Sequence, residues 1–547
     1  MSEIHGGELT ARQLKAAGID TIFGVVAGPM VEVLAGAARA GLRVVGCRHE
    51  ESAAFMASAW GYQRRLPGVV VVGSGPGMTN AVTPMYVATA SGMPLVVLGG
   101  SASAPRGIGA FQEADQVAFA RPGCKWVQQI DRTEHIPELL HLALGKAVSG
   151  RPGAVYLDYP GEMVNRAVPE DSVTLRTAMP AITRPYPDPA AIERIAGMLA
   201  RAERPLVLVG KGAAWADAGA ALTRLVDRGL PYVASPMARG VIPDDNPHCV
   251  NDARSAALAR ADAIVMVGGR FNWIFNYGRP PRYAANVRIA QIDIEPEELY
   301  SSAAIELGVV ADAAVAREQL CAALEGRALA CARGGWLDEL RARARSNAAL
   351  LDPLMGLDST PINPFRLARE LRDVLPRNAT ICDDGELIMG VSRTVLPSFG
   401  ARSRLNAGTT ACIGTGVPYA IGAALAQPDR PAVALLGDYA FGAAAIDIET
   451  AARVGARTVF VVANNSGIAG HLLQNFMFPP DAPPIARLHA ADYEKMMEMV
   501  GGHAERVERP EQIRPALERA LAAGGPALVH VLIDPLAVRP GGMNFLE

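Results

Sequence analysis

Short, almost unbroken apolar runs alternate with Ala-rich amphipathic segments along the whole chain. "GVVVVGSG" (68–75) and "AVALLGD" (432–438) have no polar face, whereas "PEQIRPALERALAAG" (510–524) spaces its apolar residues at helical period. Strands without a polar face belong in parallel sheets covered by helices on both sides. A chain of 547 residues is too long for one core, so the alternation predicts an α/β protein of three doubly wound parallel-sheet domains. Two Pro-rich stretches, "MPAITRPYPDPAAI" (179–192) and "LLDPLMGLDSTPINPF" (350–365), read as linkers and place the domains at 1–178, 190–345 and 362–547.

A formal charge of −3 argues against nucleic acid or an anionic membrane as the main partner. No apolar run is long enough to span a bilayer, and "MSEIHGGELTARQL" is not a secretory signal. The seven cysteines are scattered, with no C-x-x-C, which fits reduced thiols in a cytoplasm rather than disulfides or zinc.

Parallel sheets bind ligands beyond the carboxyl ends of their strands. Two such ends stand out, because "AVALLG" runs into Asp438 and "TVFVVAN" into Asn465. If those strands are neighbours, a carboxylate, an amide oxygen and a backbone carbonyl reach one crevice. That set suits Mg²⁺ carrying phosphate oxygens, and a helix starting near "AFGAAAIDIET" would aim its amides at the same anion. Taken alone, the Asp could equally be a capped strand end.

The stretch from Gly437 to Gly467 resembles the signature of thiamine-diphosphate (ThDP) enzymes of the pyruvate-decarboxylase-like superfamily, with Gly-Asp, helix, strand and Asn-Asn. The resemblance implies Asp438, Asn465 and the Gly467 carbonyl as Mg²⁺ ligands, with Tyr439, Ala440 and Ile468 beside the cofactor. Tyr439 stands where the family has a small residue. "CRHEESAAFMASAWGYQRRLPGVVVVGSGPGMTN" (47–80) resembles the family's first, pyrimidine-binding domain. It implies Glu50 as the carboxyl that activates the cofactor's aminopyrimidine, and Asn80 nearby. By residue type alone, Glu50 could be an acid favoured by a helix dipole, and Glu51 beside it is a departure. "GTTACIGTGVPYAIGAAL" (408–425) resembles the cofactor-bending turn, implying a carbonyl from Ala411 and an apolar wedge from Ile413. In this family the two half-sites come from different subunits, so a homodimer at least is implied, and the branch suggests a homotetramer.

"GRPGAVYLDYP" (150–160), "VLVGKGAAWADA" (207–218), "VGGRFNWIFNYGRPPRY" (267–283) and "IAQIDIEPEEL" (289–299) resemble the 2-hydroxyacyl-CoA lyase and oxalyl-CoA decarboxylase branch. Its middle domain holds ADP, implying a site from Arg151, Lys211, Arg270, Asp293, Ile294 and Asp312, and its CoA substrate implies phosphate contacts from Arg239, Arg254 and Arg393. Phe111-Gln112 in "GIGAFQEADQ" leans to the lyases, where the decarboxylase has Tyr-Glu. The resemblance thus implies a ThDP-dependent carbon–carbon lyase releasing formyl-CoA and an aldehyde or ketone, and the substrate hydroxyl proton is expected to go to the cofactor's 4′-imino group or to a water held near Gln112 and Glu113. Oxalyl-CoA decarboxylase and an acetohydroxyacid-synthase-like carboligase are the rival readings. Ala469 replaces a Tyr of the branch, and the chain ends early at "GGMNFLE", so a wider pocket accepting branched groups such as 2-hydroxyisobutyryl is expected, with His471 available in place of the lost phenol.

Overall fold

The computed structural model describes residues 2–104, 107–180 and 183–540. Three parallel sheets carry the fold. The first runs, edge to edge, through Arg43–Gly46, Thr21–Gly24, Gly68–Val72, Leu95–Ser101, Ala154–Pro160 and Trp126–Gln129. The last runs through Arg404–Leu405, Thr380–Asp384, Ala432–Gly437, Thr458–Asn464, Ala527–Leu532 and His503–Val507. Numbered within their own domains, both have the order 2-1-3-4-6-5, and the middle sheet of five strands between Pro205 and Val310 has the order 2-1-3-4-5. Each sheet therefore reverses direction between its first and third strands, which opens a crevice at their carboxyl ends.

The strands are buried because both faces are covered: every residue of Gly68–Val72, Ala263–Val267 and Thr458–Asn464 is buried. The outer domains also pack on each other. Helix Glu50–Arg64 crosses helix Gly416–Ala426, with Phe55 edge-on to Tyr419 at 5.7 Å. The approach is close because Gly422 lacks a side chain; a Cβ there would lie 2.3 Å from the Met56 carbonyl oxygen.

The second linker is more ordered than its composition suggests. Asp352–Met355 forms a helical turn, with Leu351, Leu354 and Met355 packed on the last domain. Pro353 sits in the first turn, where a missing N–H removes no bond. Trp336 closes the middle domain, its indole N–H donating to the Pro205 carbonyl at 3.0 Å.

Candidate active site

Strands Ala432–Gly437 and Thr458–Asn464 are hydrogen-bonded neighbours with Gly437 opposite Ala463, so Asp438 and Asn465 emerge into one crevice as the sequence predicts. The helix expected beyond Asp438 is broken into Asp438–Gly442, Ala445–Asp447 and Ile448–Val454. The break serves the contact with the first domain, since the Asp447 carboxylate accepts from the Arg48 N–H at 3.1 Å and from the Thr450 hydroxyl at 2.8 Å.

Asp438 is buried, accepting from the amides of Tyr439 and Gly467 at 3.0 Å each, and burial pushes its carboxyl up to about 6. The Asn465 amide fits its place in either of two orientations. With Nδ2 inward it donates to the Gly467 carbonyl oxygen (2.9 Å) and Asp438 Oδ1 (3.1 Å), while Oδ1 accepts from Gly470 N–H (3.1 Å). With Oδ1 inward, it lies at those separations from the Gly467 carbonyl oxygen and Asp438 Oδ1, an arrangement that a bound cation, or a proton on the Asp438 carboxyl, would satisfy. Adjacent oxygens of an octahedral Mg²⁺ site with bonds of about 2.0–2.1 Å lie about 2.9 Å apart. The donor set and its spacing therefore fit a small, hard divalent ion.

The crevice widens into a cleft of about 1350 Å³ of empty space, part of it open to solvent. Ala411, Ile413, Tyr439, Ala440, Ile468 and Ala469 all line it. Ala411 is left-handed (φ 52°), which turns the chain between the strand and helix Gly416–Ala426. Ile413 is 42 % exposed, an apolar side chain standing free in a binding cleft.

One residue that shapes this cleft is missing from the sequence reading. Asp384 is buried at the end of strand Thr380–Asp384 and accepts from the amides of Gly385 and Gly416 at 2.9 Å each. Burial raises it to about 6. It ties down the turn that carries Ala411 and Ile413. The signal was present, because "TICDDG" is another apolar strand running into acids. Next to it, Asp383 pairs with the fully buried Arg404 at 2.5 Å.

Glu50, at the start of its helix, accepts from Asn80 Nδ2 at 3.0 Å and lies against Gly77. Glu51 faces the last domain; burial first, and then the Glu51 charge, pushes the Cys412 thiol up to about 11. No described residue of the first domain lines the cleft of Asp438, so within one chain Glu50 and the oxygen cluster stay apart. Glu113 differs from expectation. Its carboxylate accepts from the amides of Gly107, Gly109 (3.1 Å) and Ala110 (2.9 Å), and these bonds hold it below the usual carboxylate range. That organises its own loop and makes it a poor base. Gln112, left-handed at φ 55°, lays its backbone carbonyl beside Gly75.

All six residues expected in the nucleotide site, Arg151, Lys211, Arg270, Asp293, Ile294 and Asp312, line one cleft where the middle domain meets the first and last domains. Burial, and after it the charges of Arg270, Arg151 and Arg402, pulls the Lys211 ammonium well below its usual value. The ammonium donates to the Gly92 carbonyl at 2.6 Å and stacks 4.0 Å from the Tyr62 ring centroid. Glu298 pairs with both Arg151 and Arg270. Asp312 caps the helix Ala313–Leu324, and Asp293 is raised to about 6 by burial. The cleft thus brings Arg151, Arg270 and Lys211 together with the carboxyl groups of Glu298, Asp293 and Asp312.

The three arginines expected at CoA lie near one another, with Arg239 donating to the Arg393 carbonyl. Arg239 is buried against Asp244 at 2.6 Å, and Arg254 donates to the Ile274 carbonyl while lying 4.7 Å from the Phe275 ring centroid. Both brace the fold; Arg393 alone lines the active-site cleft. His471 is not among the residues lining that cleft, because its amide is tied back to the Pro535 carbonyl at 2.8 Å. The end segment "GGMNFLE" lies outside the described residues. Arg539, just before it, pairs with Glu386 at the cleft at 3.3 Å.

Residues 4–119, 192–320 and 384–531 match the thiamine pyrophosphate enzyme N-terminal TPP binding, central and C-terminal TPP binding domains respectively. The chain is similar to the 2-hydroxyacyl-CoA lyase of Oryza sativa subsp. japonica, 34 % identical over 99 % of this chain and 97 % of the other. It is 32 % identical to the oxalyl-CoA decarboxylase of Escherichia coli (strain K12) over 98 % and 96 % of the two chains. To the acetolactate synthase large subunit IlvG of Mycobacterium tuberculosis it is 35 % identical, over 99 % and 98 %.

Proposed function

This chain belongs to the thiamine pyrophosphate enzymes, and within them we propose that it is a carbon–carbon lyase cleaving 2-hydroxyacyl-CoA to formyl-CoA and an aldehyde or ketone. The observation that carries the reading is the oxygen cluster of Asp438, Asn465 and Gly467 opening into a large cleft, on a chain similar to such lyases over its whole length. Asp438, Asn465 and the Gly467 carbonyl would hold a Mg²⁺ ion, which would supply positive charge for the cofactor's diphosphate. Bound there, thiamine diphosphate supplies the nucleophilic carbon and the electron sink that cleavage beside a thioester carbonyl needs.

The chain's own residues do the rest. Ile413 and the Ala411 carbonyl set the cofactor's bend, and Asp384 fixes both by holding their turn. Glu50 holds a proton against the aminopyrimidine of the cofactor bound by a second copy, which makes a homodimer the smallest active unit and a tetramer its natural extension. Arg393 meets the substrate's phosphate at the cleft mouth. Gln112 holds the substrate hydroxyl, and Glu113 serves it indirectly by fixing the loop. Ala469 leaves room for branched groups such as 2-hydroxyisobutyryl. The cleft lined by Arg151, Lys211 and Arg270 takes ADP, with Asp293 on the ribose. The seven free cysteines suit a reducing compartment such as the cytoplasm.

The test is to incubate the protein, ThDP and Mg²⁺ with formyl-CoA and a panel of aldehydes and acetone, and to identify the acyl-CoA formed. Products from aldehydes or acetone support the lyase. Formation of none, with CO₂ released from oxalyl-CoA, supports the second reading, which the Escherichia coli relative favours.

A further inference from the structure

Beneath the metal turn lies a buried polar chain that the proposed function does not use. Val462 of strand Thr458–Asn464 is registered with His530 of strand Ala527–Leu532, so Asn464 and His530 project from the same face of the sheet. Asn464 Nδ2 lies 2.9 Å from His530 Nε2, and His530 Nδ1 lies 2.5 Å from Glu494 Oε2. His530 has no exposed surface, and Asn464 and Glu494 are also buried.

The hydrogens along this chain are dictated from its far end. The Ser466 amide donates to Asn464 Oδ1 at 2.8 Å, and an amide N–H is always a donor, so the Asn464 NH₂ group must face His530. Nε2 is then the acceptor and Nδ1 carries the proton, which it gives to the Glu494 carboxylate. The same bond sets Ser466 in a left-handed conformation (φ 56°), and that bend brings the Gly467 amide onto Asp438 Oδ2 at 3.0 Å. Tyr493 adds a second brace. Its ring meets His530 edge-on at 5.4 Å and Phe441 edge-on at 5.5 Å, and Phe441 lies in the helical turn that begins with Asp438.

We propose that Glu494, His530 and Asn464 form a relay that holds the Asn465–Ser466–Gly467 turn in the shape that binds the metal and diphosphate, with His530 as its positioning residue. His530 Nε2 accepts the Asn464 NH₂ group in the orientation that the Ser466 amide requires, and by holding it there supports the turn that carries the Gly467 carbonyl. An imidazole with hydrogen on Nε2, or a side chain without an acceptor there, turns the Asn464 amide away and frees Ser466. The inference rests on the reading of Asp438, Asn465 and Gly467 as the metal cluster.

The experiment is calorimetric titration of ThDP, in excess Mg²⁺, into the full-length protein and its His530→Phe, His530→Gln and Glu494→Gln variants, with urea denaturation of each apo-protein alongside. Removing a partner that orients a metal ligand costs about 10–100-fold in affinity, and His530→Phe should lose that much. His530→Gln offers an amide oxygen to Asn464 and should recover part of it. A role confined to packing would lower the denaturation midpoint and leave the affinity of the folded protein unchanged; binding by folded His530→Phe within about twofold of the parent overturns the proposal. Should His530→Phe not fold, the nitrogen-15 spectrum of labelled histidine in the parent decides. A neutral ring with hydrogen on Nδ1 supports the relay, and hydrogen on Nε2 overturns it. If the parent itself binds no ThDP with Mg²⁺, the reading of the metal cluster falls first and the relay with it.

Discussion

Replacing Glu50 by Gln separates chemistry from folding. The Glu50 carboxyl is partly exposed, accepts one hydrogen bond from Asn80 Nδ2 at 3.0 Å and takes part in no ion pair in the described residues. Gln has the same size and keeps an oxygen for Asn80. It also fits beside Gly77, where the space exists because that residue has no Cβ. The cost to stability should stay within about 1 kcal/mol, the net worth of one such bond. Loss of a positioned acid–base group costs about 10²–10⁴-fold in rate. At about 1.36 kcal/mol per decade this is about 2.7–5.4 kcal/mol of barrier, several times the folding term. The assay is exchange of the cofactor's reactive proton for deuterium, followed by proton NMR with ThDP and Mg²⁺ bound, beside urea denaturation. Glu51→Gln is the control, because that side chain faces Cys412 instead. Exchange in Glu50→Gln within about threefold of the parent, or a large loss in Glu51→Gln alone, refutes the assignment.

Binding of ADP should weaken on acidification, because burial raises Asp293 to about 6 and the ribose needs its carboxylate form. The sign for folding is opposite: a raised carboxyl pKa means the folded state binds more protons, so this group adds stability as pH falls through about 6 and withdraws it above. Calorimetry with ADP between about pH 5 and pH 7.5 checks the first effect, and a flat affinity contradicts it. Gly416→Ala places a Cβ 2.2 Å from Leu436 Cδ2 and 2.9 Å from the Asp384 Cβ, and should cost about 1–3 kcal/mol in urea denaturation. Ala469→Tyr narrows the cleft and should lower kcat/KM for 2-hydroxyisobutyryl-CoA by about 10–100-fold while sparing straight-chain substrates; equal losses on both would show that Ala469 does not set the acyl preference.

Much of the site was legible because its signals are local. An apolar strand that ends in an oxygen-bearing residue, as at Gly437-Asp438 and Asn464-Asn465, marks a carboxyl-end crevice wherever the strand lies in the sheet. Lys211, Arg270 and Asp293 could be singled out for the same reason, since each ends or closely follows a strand, whereas Arg151, Ile294 and Asp312 came from the family resemblance. The partners of Arg239 and Arg254 were not legible, because an Arg after a turn looks alike in sequence whether it faces solvent or Asp244. Glu113 misled because its partners are backbone amides, which leave no trace in residue identity.

Period and punctuation alone determined three helix-covered parallel sheets and the places where ligands could sit, because burial on two faces favours strands that are apolar along nearly all their length. Tertiary structure decided what those places contain. It set strands 432–437 and 458–464 side by side so that three oxygens meet, kept Glu50 out of that cleft, and buried His530 where it can orient Asn464. Such outcomes depend on distances between residues tens to hundreds of positions apart, and those are fixed only when the packed sheets fix the register.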